Sequence, residues 1–407
     1  MDAKITDSRS WLLIIAFAAI GWPAFYFRFS DASLRPEFEA LIFGIGIVGG
    51  AFLLSWAAEA AQLDISASFA LALLALIAIL PEYTIEAILA WDAGAVYDSV
   101  NGAIDPATGQ IRDEIGLVAA NVTGANRLLI GIGWSAVILI FWLKHRAPLD
   151  LRGDLSLEMR MLLAATLITF FIFFMGEVNV VIAFVLIGIY LYYLWVTSHQ
   201  PSEDPELMEP ALTIGNLPVM WRRVAVAFMF VYSAVVILVA AEPFVEGLKH
   251  TGHELGISEF ILIQWLAPLA SESPEIIVAV LFSLRGNPKA GLTTLMSAEV
   301  NQLTILIGTM VVVFSISAGQ LLSFPLDSRQ AAEFLLMTAM SLFAILLVAP
   351  RLISWKAGLV LLGLFIVHLF FTDTGERLIF AFIFFGLGAG LILLNPRSLK
   401  QVIGSGD

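Results

Sequence analysis

Between Trp265 and Gly308 the sequence sets three carboxylates, Glu272, Glu275 and Glu299, inside runs otherwise apolar enough to cross a bilayer. A carboxylate at membrane depth costs about 2.5–3.5 kcal/mol or more, so such residues are retained to bind or move charge. Pro268 and Pro274 stand beside the first two acids. Each proline removes a backbone donor and is expected to interrupt the helix, freeing carbonyl oxygens next to the carboxylates. Carboxylates and free carbonyls together suit a hard cation. A weaker copy of the stretch occurs earlier, around Pro81-Glu82 and Asn126-Arg127.

The two copies align in order. Asn126-Arg-Leu-Leu-Ile-Gly-Ile-Gly133 matches Asn301-Gln-Leu-Thr-Ile-Leu-Ile-Gly308 at Asn, Leu, both Ile and the last Gly. Upstream, Ile65-Ser66 before Pro81-Glu82 answers Ile257-Ser258 before Pro274-Glu275, offset by one residue. Each copy starts one helix earlier, near residues 38 and 222, and five helices separate those starts. An odd number of spans per repeat inserts the copies with opposite topology, the arrangement of secondary transporters.

The elements that must carry these residues are membrane helices. Of 407 residues, 59% are hydrophobic and only 14% charged, where a soluble domain would be about a quarter charged. Apolar runs predict about twelve spans, near 11–28, 38–62, 66–92, 116–143, 157–175, 178–197, 222–248, 257–284, 289–318, 328–349, 353–371 and 376–394. The expected fold is an all-α integral membrane protein of two inverted five-helix repeats, residues 37–199 and 222–372. Residues 1–36 and 373–407 add one helix at each end, and 200–221 form a cytoplasmic linker. The first run, Trp11 to Phe27, contains Pro23 and no small-residue cleavage site, so it reads as a retained helix. Thirteen Lys and Arg fall in loops on the face of the N-terminus, against six (Arg28, Arg35, Arg112, Lys249, Arg329 and Arg377) on the other. That asymmetry places both termini in the cytoplasm. A bacterial cytoplasmic membrane is the expected location.

Composition excludes several classes. With no cysteine, disulfides, thiolate metal sites and cysteine nucleophiles are absent. No basic patch with interleaved aromatics suggests nucleic acid as a partner. An intramembrane enzyme would need a nucleophile with its base or a metal triad, yet only His368 lies deep in a span and no His-Glu-x-x-His occurs. The chain is therefore not expected to be an enzyme, nor to hold a resident cofactor. Its expected partners are small inorganic cations and the lipid bilayer, as a monomer or a homodimer.

Leu80-Pro81-Glu82, Ser273-Pro274-Glu275, the polar helix downstream of each and the five-plus-five inverted plan together resemble the sodium/calcium exchanger superfamily of cation antiporters. The likeness covers about residues 38–372. It implies that Glu82 and Glu275, one from each half, bind Ca²⁺ with backbone carbonyls just upstream. Family members carry hydroxyl residues three and four positions before the glutamate, which here gives Ser271 and Glu272 in the second half but Ala78 and Ile79 in the first. The family's amide or acid on the following helix falls on Gln302, preceded by Ala298, and on Arg127, preceded by Thr123. Ligand and packing roles both stay open for Thr123, as do ligand and bracing roles for Asn126 and Asn301. Glu299 either lines the site or faces the lipid interface.

Arg127 is the main departure, because a guanidinium stays protonated and accepts no cation. The resemblance implies that it takes a place where Na⁺ would otherwise sit, with Glu272 as a natural counter-charge. The expected activity is exchange of Ca²⁺ for Na⁺ or H⁺ at a midplane carboxylate site. The alternative is a monovalent cation/proton antiporter on the same fold that does not carry Ca²⁺.

Overall fold

The computed structural model describes residues 8–30, 34–64, 80–98, 100–151, 156–199 and 207–396. In chain order the helices are α1 (Ser8–Phe29), α2 (Pro36–Ala61), α3 (Leu80–Ala95), α4 (Asp113–His145), α5 (Ser156–Met175), α6 (Val180–Ser198), α7 (Ala211–Gly215), α8 (Val219–Leu255), α9 (Glu259–Leu284), α10 (Pro288–Ser317), α11 (Ser328–Val348), α12 (Trp355–Leu369) and α13 (Thr374–Leu394). Ten of the described helices are long and apolar enough to cross a membrane, and α12 is a shorter apolar helix. The expected third span lies partly outside the described residues, as do Ile65-Ser66, Ala78 and Ile79. Exposed Phe171, Phe174, Phe184, Phe228 and Phe382 provide the apolar outer surface that a bilayer requires.

Helix starts follow local chemistry. Asn287 accepts from the Ala290 amide at 3.1 Å and Pro288 opens α10, where its missing N–H costs nothing. At α11, Asp327 accepts from the Gln330 amide at 2.7 Å, and the Gln330 side chain accepts from the Asp327 amide at 3.0 Å. That reciprocal pair is a capping box. It fixes the start of the helix that carries Glu333 and Ser341.

Two compact units result, Met1–Ile88 with Tyr192–Pro274, and Leu89–Leu191 with Glu275–Asp407. In the first, α2 packs along α8 and α1 around Phe52, Trp56, Ile214 and Met229. Gly46 and Gly50 lie on the contact side of α2. A side chain at Gly50 would meet Ile237 and the Ser233 carbonyl, and one at Gly46 would meet Ala24. The described part of the linker, from residue 207, packs on this unit. Its Glu209 carboxylate accepts from Ser10 Oγ at 2.8 Å and Thr213 Oγ1 at 2.6 Å, and α7 packs on α2. Just past the end of α2, Asp64 takes a two-pronged pair from Arg222, at 2.6 and 2.9 Å, and a third contact from Arg223 at 3.1 Å.

Hydrogen bonding from Arg222, reinforced by Arg223, holds the Asp64 carboxyl below its ordinary value of 3.8. A lowered folded value means stability that is present above the unfolded value and lost as pH falls through the folded one. The Tm gap between wild type and Asp64→Asn is expected to stay constant from about pH 7 to 5 and to close below about pH 3.8. A gap independent of pH would contradict the pairing.

In the second unit α11 is almost wholly buried and forms the axis, with α4, α5 and α13 packed on it. Two short strand pairs clip its loops. β1 (Leu149–Asp150) pairs with β4 (Leu352–Ile353), and β2 (Glu177–Val178) pairs with β3 (Phe324–Pro325). β1 and β3 follow the polar helices α4 and α10, whereas β2 and β4 follow α5 and α11. Exchanging the two halves of the sequence therefore turns one pair into the other, as inverted repeats require. At the start of α10, a methyl group at Gly291 would stand 2.4 Å from the Ala279 carbonyl oxygen. Gly291→Ala is expected to destabilise by about 1–3 kcal/mol, read as a lower Tm in detergent, because backbone cannot rotate away as a side chain can.

Candidate functional site

Glu82 sits in the first turn of α3, just after Pro81, a position where a missing amide is tolerated. Its side chain is buried, as is that of Glu86 one turn later. On α9, Ser271 and Glu272 are buried and Glu275 is half-buried. The expected helix break is not there: α9 runs as one α-helix from Glu259 to Leu284 through both prolines. Hydroxyl groups take up carbonyls along this stretch. Ser273 Oγ donates to the Ala270 carbonyl at 3.5 Å, the oxygen left over by Pro274, and Ser271 Oγ lies 3.3 Å from the carbonyls of Ala267 and Pro268. A serine close to a proline can thus carry a helix across it without a kink large enough to end it.

The polar helices α4 and α10 share an irregularity. Each contains a wide π turn, over Leu129–Trp134 in α4 and Gln302–Leu306 in α10. Such turns inside α-helices often mark functional positions. In the register pairing Gly133 with Gly308 the two overlap, so the duplication seen in sequence extends to backbone geometry. Arg127 lies two residues before the first wide turn and Gln302 opens the second.

On α4, Thr123, Asn126 and Arg127 are completely buried. Thr123 Oγ1 donates to the Ala119 carbonyl at 2.7 Å, a local bond that fits packing. Asn126 Oδ1 accepts from Ser341 Oγ on α11 at 3.1 Å, which fits a brace between helices. On α10, Asn301 and Gln302 are buried, and Gln302 closes no side-chain hydrogen bond among the described residues. Glu299 is also completely buried, beside Asn126 and Ser341, so the lipid-interface reading of it is corrected. Its place between three helices, rather than on the outer face of α10, is set by the α4–α11 packing that sequence periodicity does not reveal.

Arg127 is at the centre of a charge cluster. Its Nη2 lies 2.7 Å from Glu333 Oε2 on α11, and its Nε donates to the Thr123 carbonyl at 2.9 Å. Arg377 Nε of α13 lies 3.1 Å from the other oxygen, Glu333 Oε1. All three side chains are fully buried. His368 Nε2 stands 3.4 Å from Arg127 Nη1, and its Nδ1 faces the Phe365 carbonyl. A guanidinium only donates, so Nε2 accepts and Nδ1 carries the proton. Glu333 thus supplies a counter-charge to Arg127, a partner that the sequence does not single out. Arg377, counted above as a loop charge, is a buried residue in the first turn of α13. An acid five residues into an apolar run looks like a helix end in sequence. Only the depth of α11 in the fold turns it into a core residue.

Among the described residues no group of three His, Asp or Glu side chains forms a ready metal cage. The first unit offers Glu82, Ser271 and Glu272 as buried oxygen donors, and the second offers Asn301 and Gln302 beside the permanent internal cation Arg127.

The family model described as "Sodium/calcium exchanger protein" matches residues 40–198 and 225–372. Among solved structures, the chain is similar to the crystal structure of an H⁺/Ca²⁺ exchanger, CAX, at 36% identity, with TM-score 0.87, covering 97% of this chain and 96% of that one. It shares its fold with native YfkE, at 15% identity and TM-score 0.61, covering 93% and 99%. A sodium-calcium exchanger, NCX_Mj, aligns at 16% identity and TM-score 0.51, covering 89% and 99%. Comparison with curated protein sequences gives no match. With both halves matched by the family model and near full-length similarity at 36% identity, this integral membrane protein belongs to the sodium/calcium exchanger family of cation antiporters.

Proposed function

We propose that the chain exchanges Ca²⁺ for H⁺, with Glu82 and Glu275 as the carboxylates that hold Ca²⁺ and Ser271, Glu272 and Gln302 as further oxygen donors. The observation that carries the choice of H⁺ over Na⁺ is Arg127, fully buried and paired to Glu333 at 2.7 Å. At the matching position of the second half stands Gln302, a neutral amide able to ligate. A fixed guanidinium removes a Na⁺ ligand from the first half and repels a cation that approaches it. Protons need no such ligand, since carboxylates that share one cation can also take protons. Similarity at 36% identity to an H⁺/Ca²⁺ exchanger supports the same reading. Both termini lie in the cytoplasm, and α2 and α8, packed along one another, act together as the gate.

Purified protein in vesicles is expected to take up Ca²⁺ when an H⁺ gradient is imposed and not when a Na⁺ gradient is imposed instead. Na⁺-driven uptake would overturn the counter-ion. Exchange of monovalent cations for protons with no Ca²⁺ flux under either gradient would overturn the substrate.

A further inference from the structure

Helix α13 begins at Thr374, beyond the family-matched residues, which end at 372. It nevertheless reaches the candidate site. Arg377 holds one oxygen of Glu333 while Arg127 holds the other, at 3.1 and 2.7 Å. α13 packs along α11, and α11 packs against α4. A single carboxylate on α11 therefore joins an added helix to the polar helix of the first half. A second link runs parallel to it: Arg377 Nη1 donates to the His368 carbonyl at 3.3 Å, and the His368 ring stands 3.4 Å from Arg127.

The geometry is that of a support. The terminal torsion of a glutamate has a broad minimum, so a carboxylate gripped by one oxygen swings readily. With the Arg377 charge 3.1 Å from Oε1 and Arg127 2.7 Å from Oε2, each oxygen has its own cation and the swing of the carboxylate is restrained. The Thr123 carbonyl fixes Arg127 Nε from its own helix at 2.9 Å. The guanidinium is thereby held in one place.

We propose that Glu333 and Arg377 are positioning residues for Arg127, and that α13 thereby sets how many counter-ions are exchanged for each Ca²⁺. This rests on the antiport reading above. A guanidinium in a fixed place supplies one positive charge that never moves. Once released, it leaves room for one more mobile monovalent cation per cycle.

The test is the H⁺ gradient at which net Ca²⁺ flux stops, in vesicles holding wild type, Glu333→Gln/Arg377→Gln or Arg377→Lys. The double variant removes one carboxylate and one guanidinium, so the cluster keeps its net charge. Arg377→Lys keeps the charge but loses the planar fork that grips Glu333 and the His368 carbonyl together, and is the variant that decides if the double variant does not fold. A zero-flux gradient reports stoichiometry and is independent of rate. The counter-ion to Ca²⁺ ratio is expected to rise by one in the double variant, and by less in Arg377→Lys. A ratio equal to wild type in both, or in Arg377→Lys when only it folds, would overturn the positioning role. Wild type without H⁺-driven Ca²⁺ flux would instead overturn the antiport reading itself.

Discussion

Glu333→Gln is expected to lower stability by about 3–5 kcal/mol, because breaking a buried ion pair leaves uncompensated charge in place. Here the loss is double: Arg127 and Arg377, both fully buried, share this carboxylate. A glutamine keeps the shape but offers one neutral oxygen to two guanidinium groups. Arg377→Gln should cost less, since it leaves the Arg127–Glu333 pair neutral and intact. The order of the two variants in detergent-solubilised Tm checks this account. A Glu333→Gln protein as stable as wild type would show that the two arginines have other counter-charges.

Glu82→Gln and Glu275→Gln are each expected to reduce Ca²⁺ transport at least about 30-fold. Losing one charged partner at a buried site costs about 2–5 kcal/mol, and each 1.4 kcal/mol is a factor of about ten. The amide is nearly isosteric with the acid, so packing is preserved and the loss falls on charge. Glu86, buried one turn further along α3, is the internal comparison. Glu86→Gln removes a similar charge from the same helix and is expected to transport at a rate much nearer wild type. Equal losses at Glu82 and Glu86 would mean that any buried acid on α3 matters, and that position does not.

Much of this was legible in the chain. Runs of apolar residues mark the ten described spans, because lipid forces the backbone to satisfy itself within helices. The Gly133/Gly308 register exposed the duplication, and strand pairing and wide turns follow that register. Other features depend on neighbours far away in sequence. Pro268 and Pro274 read as breaks, yet α9 continues through both, and beside Pro274 the Ser273 hydroxyl takes up the freed Ala270 carbonyl. Nothing in the linker's own sequence pairs Glu209 with Ser10, almost two hundred positions earlier. Arg127 was visible as an anomaly, but its partner was not. Glu333 and Arg377 become interior only when α11 is enclosed by α4 and α13. Periodicity along one helix cannot report how deeply that helix is buried.

The most direct test of the central claim is equilibrium Ca²⁺ binding to the purified full chain, measured at neutral and at acidic pH, for wild type, Glu82→Gln and Glu275→Gln. The account predicts that wild type binds Ca²⁺ and releases it on acidification, and that each variant binds at least about 30-fold more weakly at neutral pH. Wild-type affinity in either variant, or Ca²⁺ binding in wild type that ignores pH, would contradict it.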